Sequence, residues 1–141
     1  MRHGTLRGAV IRMAKRALMG DNRLMANTVL IVDDHPSFRA SARRMLIADG
    51  FEVVGEAEDG ASALSAVHEL APDLVLLDVQ LPDIDGFEVA ARIAANGDGP
   101  QVILTSSRDR SDFGGLLAAS SARGFVPKSE LSGRALAALI E

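Results

Sequence analysis

From Thr28 onward the chain alternates between short apolar runs and longer stretches in which apolar residues recur every three or four positions. Thr28–Val32 (TVLIV) is almost continuously apolar and ends in Asp33 and Asp34, the pattern of a strand buried on both faces. Pro36 suits the first turn of a helix, Phe38, Ala42, Met45 and Leu46 give that helix its stripe, and Gly50 closes it. Residues 51–57 read as a second strand centred on Val53 and Val54. Gly60 then introduces a helix carrying Ala63, Leu64, Val67 and Leu70, stopped by Pro72. Residues 73–77 (DLVLL) form a third strand that delivers Asp78 at its end. The loop 79–86 has the Pro and Asp content of a turn, a helix covers 87–95, and residues 97–100 (GDGP) break it as a turn rather than a phosphate loop. A fourth strand, 102–104, ends in Thr105, Ser106 and Ser107. A weak helix is expected over 111–120, where Gly114 and Gly115 each cost roughly 1 kcal/mol against Ala. Phe125 and Val126 make a short fifth strand ending at Pro127 and Lys128, and residues 131–140 make the last helix.

Five strand–helix units joined by short connections predict an α/β fold. Right-handed crossovers wind it doubly into a five-stranded parallel sheet with helices on both faces. At 141 residues the chain is the size of one domain. It has no cysteine, which excludes disulfides and thiolate metal sites. No apolar run approaches the ~20 residues of a membrane span.

Charge divides the chain in two. Residues 1–26 hold six basic side chains (Arg2, Arg7, Arg12, Lys15, Arg16, Arg23) against Asp21, for a net +5, so the other 115 residues carry −9. A boundary near Asn27 follows, with a basic N-terminal arm before it and a domain over 27–141 after it. Leu6, Val10, Ile11, Met13, Ala14, Ala17 and Leu18 interleave with the basic residues as in a short amphipathic helix. The segment is expected to be a disordered or loosely helical arm, with a surface-contact helix or a leader upstream of Met25 as alternatives. Its apolar positions are too interrupted for a secretory signal. The acidic body argues against nucleic-acid binding by the domain itself.

In an open doubly wound sheet, ligands bind beyond the carboxyl ends of the strands. Asp33 and Asp34, Asp78, Thr105 and Lys128 all stand at such ends, although 45, 27 and 23 residues separate them in sequence. A lone Asp after a strand is as readily a helix N-cap as a functional group, and it is the set that argues for chemistry. Carboxylates crowded in a partly dry pocket repel by about 4 kcal/mol per pair at 4 Å and an effective dielectric near 20. Such a cluster calls for a hard divalent cation. Oxygen donors without Cys or His suggest magnesium or manganese, and few protein ligands with room for water suit magnesium. A carboxylate nucleophile, a metal, the Lys128 ammonium and the Thr105 hydroxyl are together the parts used in phosphoryl transfer.

The strings LIVDDHPSFR, DLVLLDVQLPDIDGFE, VILTSS and GFVPKSEL, in that order, resemble the receiver domain of bacterial two-component response regulators, from about Thr28 to the C-terminus. The DDHP opening resembles receivers joined to helix-turn-helix output domains. The resemblance implies a flavodoxin-like sheet of order 2-1-3-4-5. It also implies a phosphorylation-activated switch, in which Asp78 accepts a phosphoryl group from a sensor histidine kinase or phosphotransfer protein. Asp33, Asp34, Asp78 and the backbone carbonyl of Gln80 then hold Mg2+, with Mn2+ as a substitute. Thr105 becomes the switch hydroxyl, Phe125 the aromatic that moves with it, and Lys128 the cation on a phosphoryl oxygen. Gln80 and Ser107 fall at the two positions that tune phosphoryl lifetime. Pro127 falls where the family carries a cis bond. The implied chain is cytoplasmic, contacts no membrane, and signals through an output domain, a partner or a homodimer formed by its fourth helix, fifth strand and fifth helix. It is either a stand-alone receiver or part of a longer regulator, and not an enzyme beyond its own phosphorylation and dephosphorylation.

Two alternatives stand beside this reading. One is a degenerate receiver that binds partners without phosphorylation. The other is an aspartyl-nucleophile phosphatase, against which Gln80 speaks, because those enzymes place an acid two residues after the nucleophile. A local loop role is the default for His35, with a direct role at the pocket rim as the alternative, His68 lies on a solvated helix face, and Asp83 and Asp85 serve the turn after Asp78.

Overall fold

A computed structural model describes residues 27–97 and 99–140 of the chain. The basic arm expected over 1–26 and Asp98 of the GDGP turn lie outside the described residues. The element order is β1 (Thr28–Val32), α1 (Pro36–Ala48), β2 (Glu52–Ala57), α2 (Gly60–Leu70), β3 (Leu74–Asp78), α3 (Gly86–Ala94) and β4 (Gln101–Ser106), then a 3-10 turn (Arg110–Phe113), α4 (Leu116–Ala119), β5 (Gly124–Pro127), a second 3-10 turn (Lys128–Glu130) and α5 (Gly133–Ile140). The strands pair in parallel in the order β2-β1-β3-β4-β5, the doubly wound sheet the sequence predicts.

Each central strand is buried on both faces, and its alternate side chains divide between two cores. Leu30, Val32, Val75, Leu77, Val102, Leu104 and Phe125 pack with Ala63 of α2 and Val89, Ala90 and Ile93 of α3. Val29, Ile31, Leu74, Leu76, Ile103 and Val126 pack with Ala42 and Leu46 of α1 and Leu136 of α5. Fully burying side chains of this size stabilises by about 1.5–3 kcal/mol each, so both layers hold the strand ends in fixed register.

The fourth helix differs from the sequence reading. Instead of one weak helix over 111–120 there is a 3-10 turn, a break at Gly114 and Gly115, and a single helical turn over Leu116–Ala119. Gly114 adopts φ 55° and ψ −127°, a conformation that L side chains rarely take and that a continuous helix cannot contain. No cis peptide bond occurs among the described residues, so the bond before Pro127 is trans.

Candidate functional site

Asp33 directly follows β1, and its N–H donates to the Ala57 carbonyl at 3.0 Å, which extends the β1–β2 ladder by one step. Asp78 is the last residue of β3 and lies in register with Thr105 of β4. Thr105 in turn pairs with Val126 of β5, and Lys128 opens the 3-10 turn just beyond that strand. The sheet therefore brings these strand tips to one edge, as the sequence predicts.

Asp33 and Asp78 are buried, while Asp34 is exposed at the rim. The Lys128 ammonium bridges the buried pair, 2.6 Å from Asp33 Oδ2 and 3.4 Å from Asp78 Oδ2. It also lies 4.4 Å from the centroid of the Phe38 ring, a cation–π contact that holds the flexible stem in place. Burial pushes the Asp78 carboxyl up to about 6. The Gln80 N–H, 3.1 Å away, opposes that rise, the Asp33 charge adds to it, and Lys128 counters it.

Two observations test whether the pocket suits a divalent cation. The Asp33 carboxylate is fully buried, and the single Lys128 ammonium, 2.6 Å from its Oδ2, offsets only part of the negative charge that converges there. One ligand atom from each of Asp33, Asp34, His35 and Asp78 lies within 4.8 Å of the others. Three carboxylates and one ammonium leave a local charge of about −2, which one divalent cation offsets. The donors fit such an ion. Asp33, Asp34 and Asp78 are the side chains positioned to hold it, and hard oxygen donors of this kind are those that Mg2+ takes.

Thr105 is buried, and its hydroxyl donates to the Val126 carbonyl at 2.7 Å, away from the acidic group. Phe125 is buried too. Its ring meets Phe113 edge-on at 5.6 Å, and Phe113 meets Phe87 edge-on at 6.0 Å. Arg110 lies over the Phe125 ring at 5.4 Å and donates to the Phe125 carbonyl at 3.1 Å. Gln80 touches the site through its backbone N–H while its side chain is exposed, and Ser107 is exposed just past β4.

The sequence reading set aside His35 and Asp83 and did not single out several other contacting residues. His35, given a local loop role by default, has its Nδ1 3.0 Å from Asp33 Oδ1 and 3.1 Å from Asp34 Oδ1. Arg39 donates to the Asp33 carbonyl at 2.6 Å and to Glu56 at 2.9 Å, and Arg43 reaches the other Glu56 oxygen at 2.8 Å. These guanidinium groups, Arg43 first, draw the Glu56 carboxyl below its usual range. Asp83, assigned to turn chemistry, accepts from the N–H groups of Gly60 and Ala61 at 2.8 and 2.9 Å, which ties the loop after Asp78 to the start of α2. Gly86 lies so close that any Cβ there would overlap the Asp78 carbonyl, and its N–H closes the loop onto the Val79 carbonyl at 2.7 Å. The i, i+4 spacing of Arg39 and Arg43 on α1 was the one available signal. The pairing of Phe113 with Phe87 and Phe125 had none in the local pattern.

Comparison with known proteins agrees with this geometry. The family model described as the response regulator receiver domain matches residues 29–141. The chain is 41% identical over 106 residues to the transcription regulator BvgA of Bordetella pertussis, covering 75% of this chain and 51% of that protein. It is 33% identical over 110 residues to the DNA-binding transcriptional activator EvgA of Escherichia coli, covering 78% and 54%. Among solved structures it matches the signal receiver domain of the response regulator NarL from Mycobacterium tuberculosis with TM-score 0.72 and 34% identity, over 81% of this chain and 96% of that one. The chain spans about half the length of the two regulators. With the parallel sheet, the acidic edge and the family match in agreement, the chain belongs to the response regulator receiver domain family.

Proposed function

We propose that residues 27–141 form a phosphorylation-activated signalling switch, preceded by a basic arm over 1–26. Asp78 accepts a phosphoryl group from a sensor histidine kinase or phosphotransfer protein. The observation that carries this reading is the buried Asp78 carboxylate, flanked by Asp33 and reached by the Lys128 ammonium. Asp33, Asp34, Asp78 and the Gln80 carbonyl would hold Mg2+, with Mn2+ as a substitute, and the ion would supply positive charge to offset that of the transferred group. An Asp78 oxygen attacks phosphorus, the bond from phosphorus to the donor nitrogen breaks, and the imidazole leaves with that electron pair. The acyl phosphate adds charge and acceptor oxygens at the β3 tip. Lys128 pairs with one of those oxygens. The Thr105 hydroxyl, bound to Val126 in the present conformation, turns to another. That turn loosens the tie between β4 and β5 beside Phe125, so the change spreads to the face made by α4, β5 and α5. Gln80 and Ser107 flank the approach of hydrolytic water and set the phosphoryl lifetime.

The chain acts as a phosphoacceptor with its own phosphorylation and dephosphorylation chemistry rather than as an enzyme on other substrates. BvgA and EvgA are transcription regulators by name, which supports an output in gene regulation. The domain carries that signal by contact with an output domain, a partner or a second copy, without touching DNA itself. No helix among the described residues is long and apolar enough to cross a membrane, in keeping with a cytoplasmic setting.

Incubation with a small phosphodonor and Mg2+ tests the reading. A mass gain of about 80 Da is expected on the wild type and none on Asp78→Ala. Equal gain on both would show that the acceptor is misassigned, and no gain on either would favour the phosphorylation-independent alternative.

A further inference from the structure

At the edge of the sheet opposite the acidic group lies a groove that phosphoryl transfer does not use. It has a volume of about 680 Å3 and is walled by the turn that joins α1 to β2 and by the start of α5, with Asn27, the residue before β1, in its lining. The Gly133 N–H donates to Asp49 Oδ2 at 2.8 Å, and a Cβ at Gly133 would overlap the Asp49 side chain, so α5 meets the end of α1 without slack. A groove fixed in this way needs little ordering when it is filled. Phe51 and Ala137 give it apolar surface, and Ile47, in the last turn of α1 before that wall, is 51% exposed. Asn27 is also where the basic arm enters the domain. Its carbonyl accepts from the Glu52 N–H at 2.9 Å, and the next N–H, that of Thr28, donates to Asp73 Oδ2 at 3.0 Å. Asp49, Glu52 and Asp73 therefore stand around the point of entry, and Arg134 is the one basic side chain among the described residues that line the groove.

We propose that residues 1–26 fold back and pack their apolar stripe into this groove, with their cations against the carboxylates at its rim. Leu6, Val10, Met13, Ala14 and Ala17 recur at helical spacing, and Arg7, Arg12, Lys15 and Arg16 fall on the other faces of such a helix. Residues 19–26 span up to about 30 Å when extended, more than enough to return the stripe to a groove that begins at Asn27. Tethering decides between occupants. A segment joined to its groove by a short linker meets it at an effective concentration on the order of millimolar, which a second copy in dilute solution does not reach. The net charge of +5 over residues 1–26 against −9 for the remainder favours the same contact. The chain's own arm is thus the occupant, and it covers the groove between α1 and α5 without involving the acidic pocket.

The chain has no cysteine, so a nitroxide attached through Gly8→Cys, a position off the stripe, is a unique label on the full chain. In 15N-labelled protein the nitroxide is expected to broaden the amides of residues 49–52 and 132–137 around the groove, and to spare residues 105–107 at the far edge of the sheet. Val10→Asp combined with Met13→Asp is expected to abolish the broadening, because a charge does not enter an apolar groove unpaired. Those two changes lie outside the domain, so loss of contact is not loss of fold. Ala137→Arg, which fills the groove from the other side, is expected to do the same while the strand amides keep their shifts. Broadening that is absent, spread evenly over the surface, or retained in the arm variant overturns the proposal. So does equal broadening when nitroxide and 15N are carried by different chains, since the arm would then belong to a second copy.

Discussion

Asp78 holds an unfavourable charge that its neighbours offset only in part. Its carboxyl has an ordinary value of 3.8 and is raised to about 6 in the folded protein, chiefly by burial. Between those values the folded state binds more protons than the unfolded chain, so this group's contribution to stability falls as pH rises, and the full penalty is present above about pH 6. Removing the charge therefore stabilises the metal-free fold. Asp78→Asn in the presence of a chelator is expected to raise unfolding stability by about 1–3 kcal/mol at pH 7, with a much smaller difference at pH 4. Urea unfolding at the two pH values checks this, and a variant less stable than wild type at pH 7 would contradict it. The place of this residue at the acidic edge was legible in the sequence because it is one of several polar residues that end apolar strands of a parallel sheet. The turn of the Thr105 hydroxyl toward Val126 was not legible, since a buried threonine takes whichever acceptor its neighbours offer and those neighbours come from β5.

The elements next to the site are held by side chains whose partners lie far along the chain. Asp83 caps α2 across 23 residues, and the Gly60 N–H, followed by the Ala61 N–H, draws its carboxyl below the usual range. A depressed folded value means that the contribution is present at neutral pH and is lost as acid titrates the group. Asp83→Asn is expected to lower the melting temperature at pH 7 and to speed amide exchange at the start of α2, with wild type and variant converging only once the pH falls below the depressed folded value of the carboxyl. A gap that persists unchanged in acid would rule out the charge as its source.

The α4 region makes the same point about what local pattern can carry. Two adjacent glycines announce weakness, but they do not say which one breaks the helix. Gly114 has φ 55° and ψ −127°, whereas Gly115 has φ −83° and ψ −2° with nothing near its would-be Cβ. Gly114→Ala is expected to destabilise by about 1–3 kcal/mol, and Gly115→Ala to stabilise by about 0.4–1 kcal/mol, both read from urea midpoints. Equal effects at the two positions would contradict the assigned break.

At the scale of the whole molecule, the parallel sheet was legible because its inner strands are buried on both faces and so appear as unbroken apolar runs. The contacts that join elements were not, because residues 87, 113 and 125 meet only once the sheet has folded. The strand order fixes the acidic edge, and folding is what forces Asp33, Asp78 and Lys128 together. An unfolded chain separates them, so a cation held there binds the folded state and not the unfolded one. Ligand linkage then ties global stability to Mg2+ concentration. At a free Mg2+ concentration ten times the dissociation constant the gain is about 1.4 kcal/mol, and it grows by a similar amount for each further tenfold rise. Urea midpoints measured at constant ionic strength across a Mg2+ series are expected to climb on this slope for the wild type and to stay flat for Asp33→Asn. Screening of surface charge cannot produce that difference, because it acts on both proteins alike. A wild-type midpoint that did not move with Mg2+ would mean that the three carboxylates are crowded for some reason other than holding an ion.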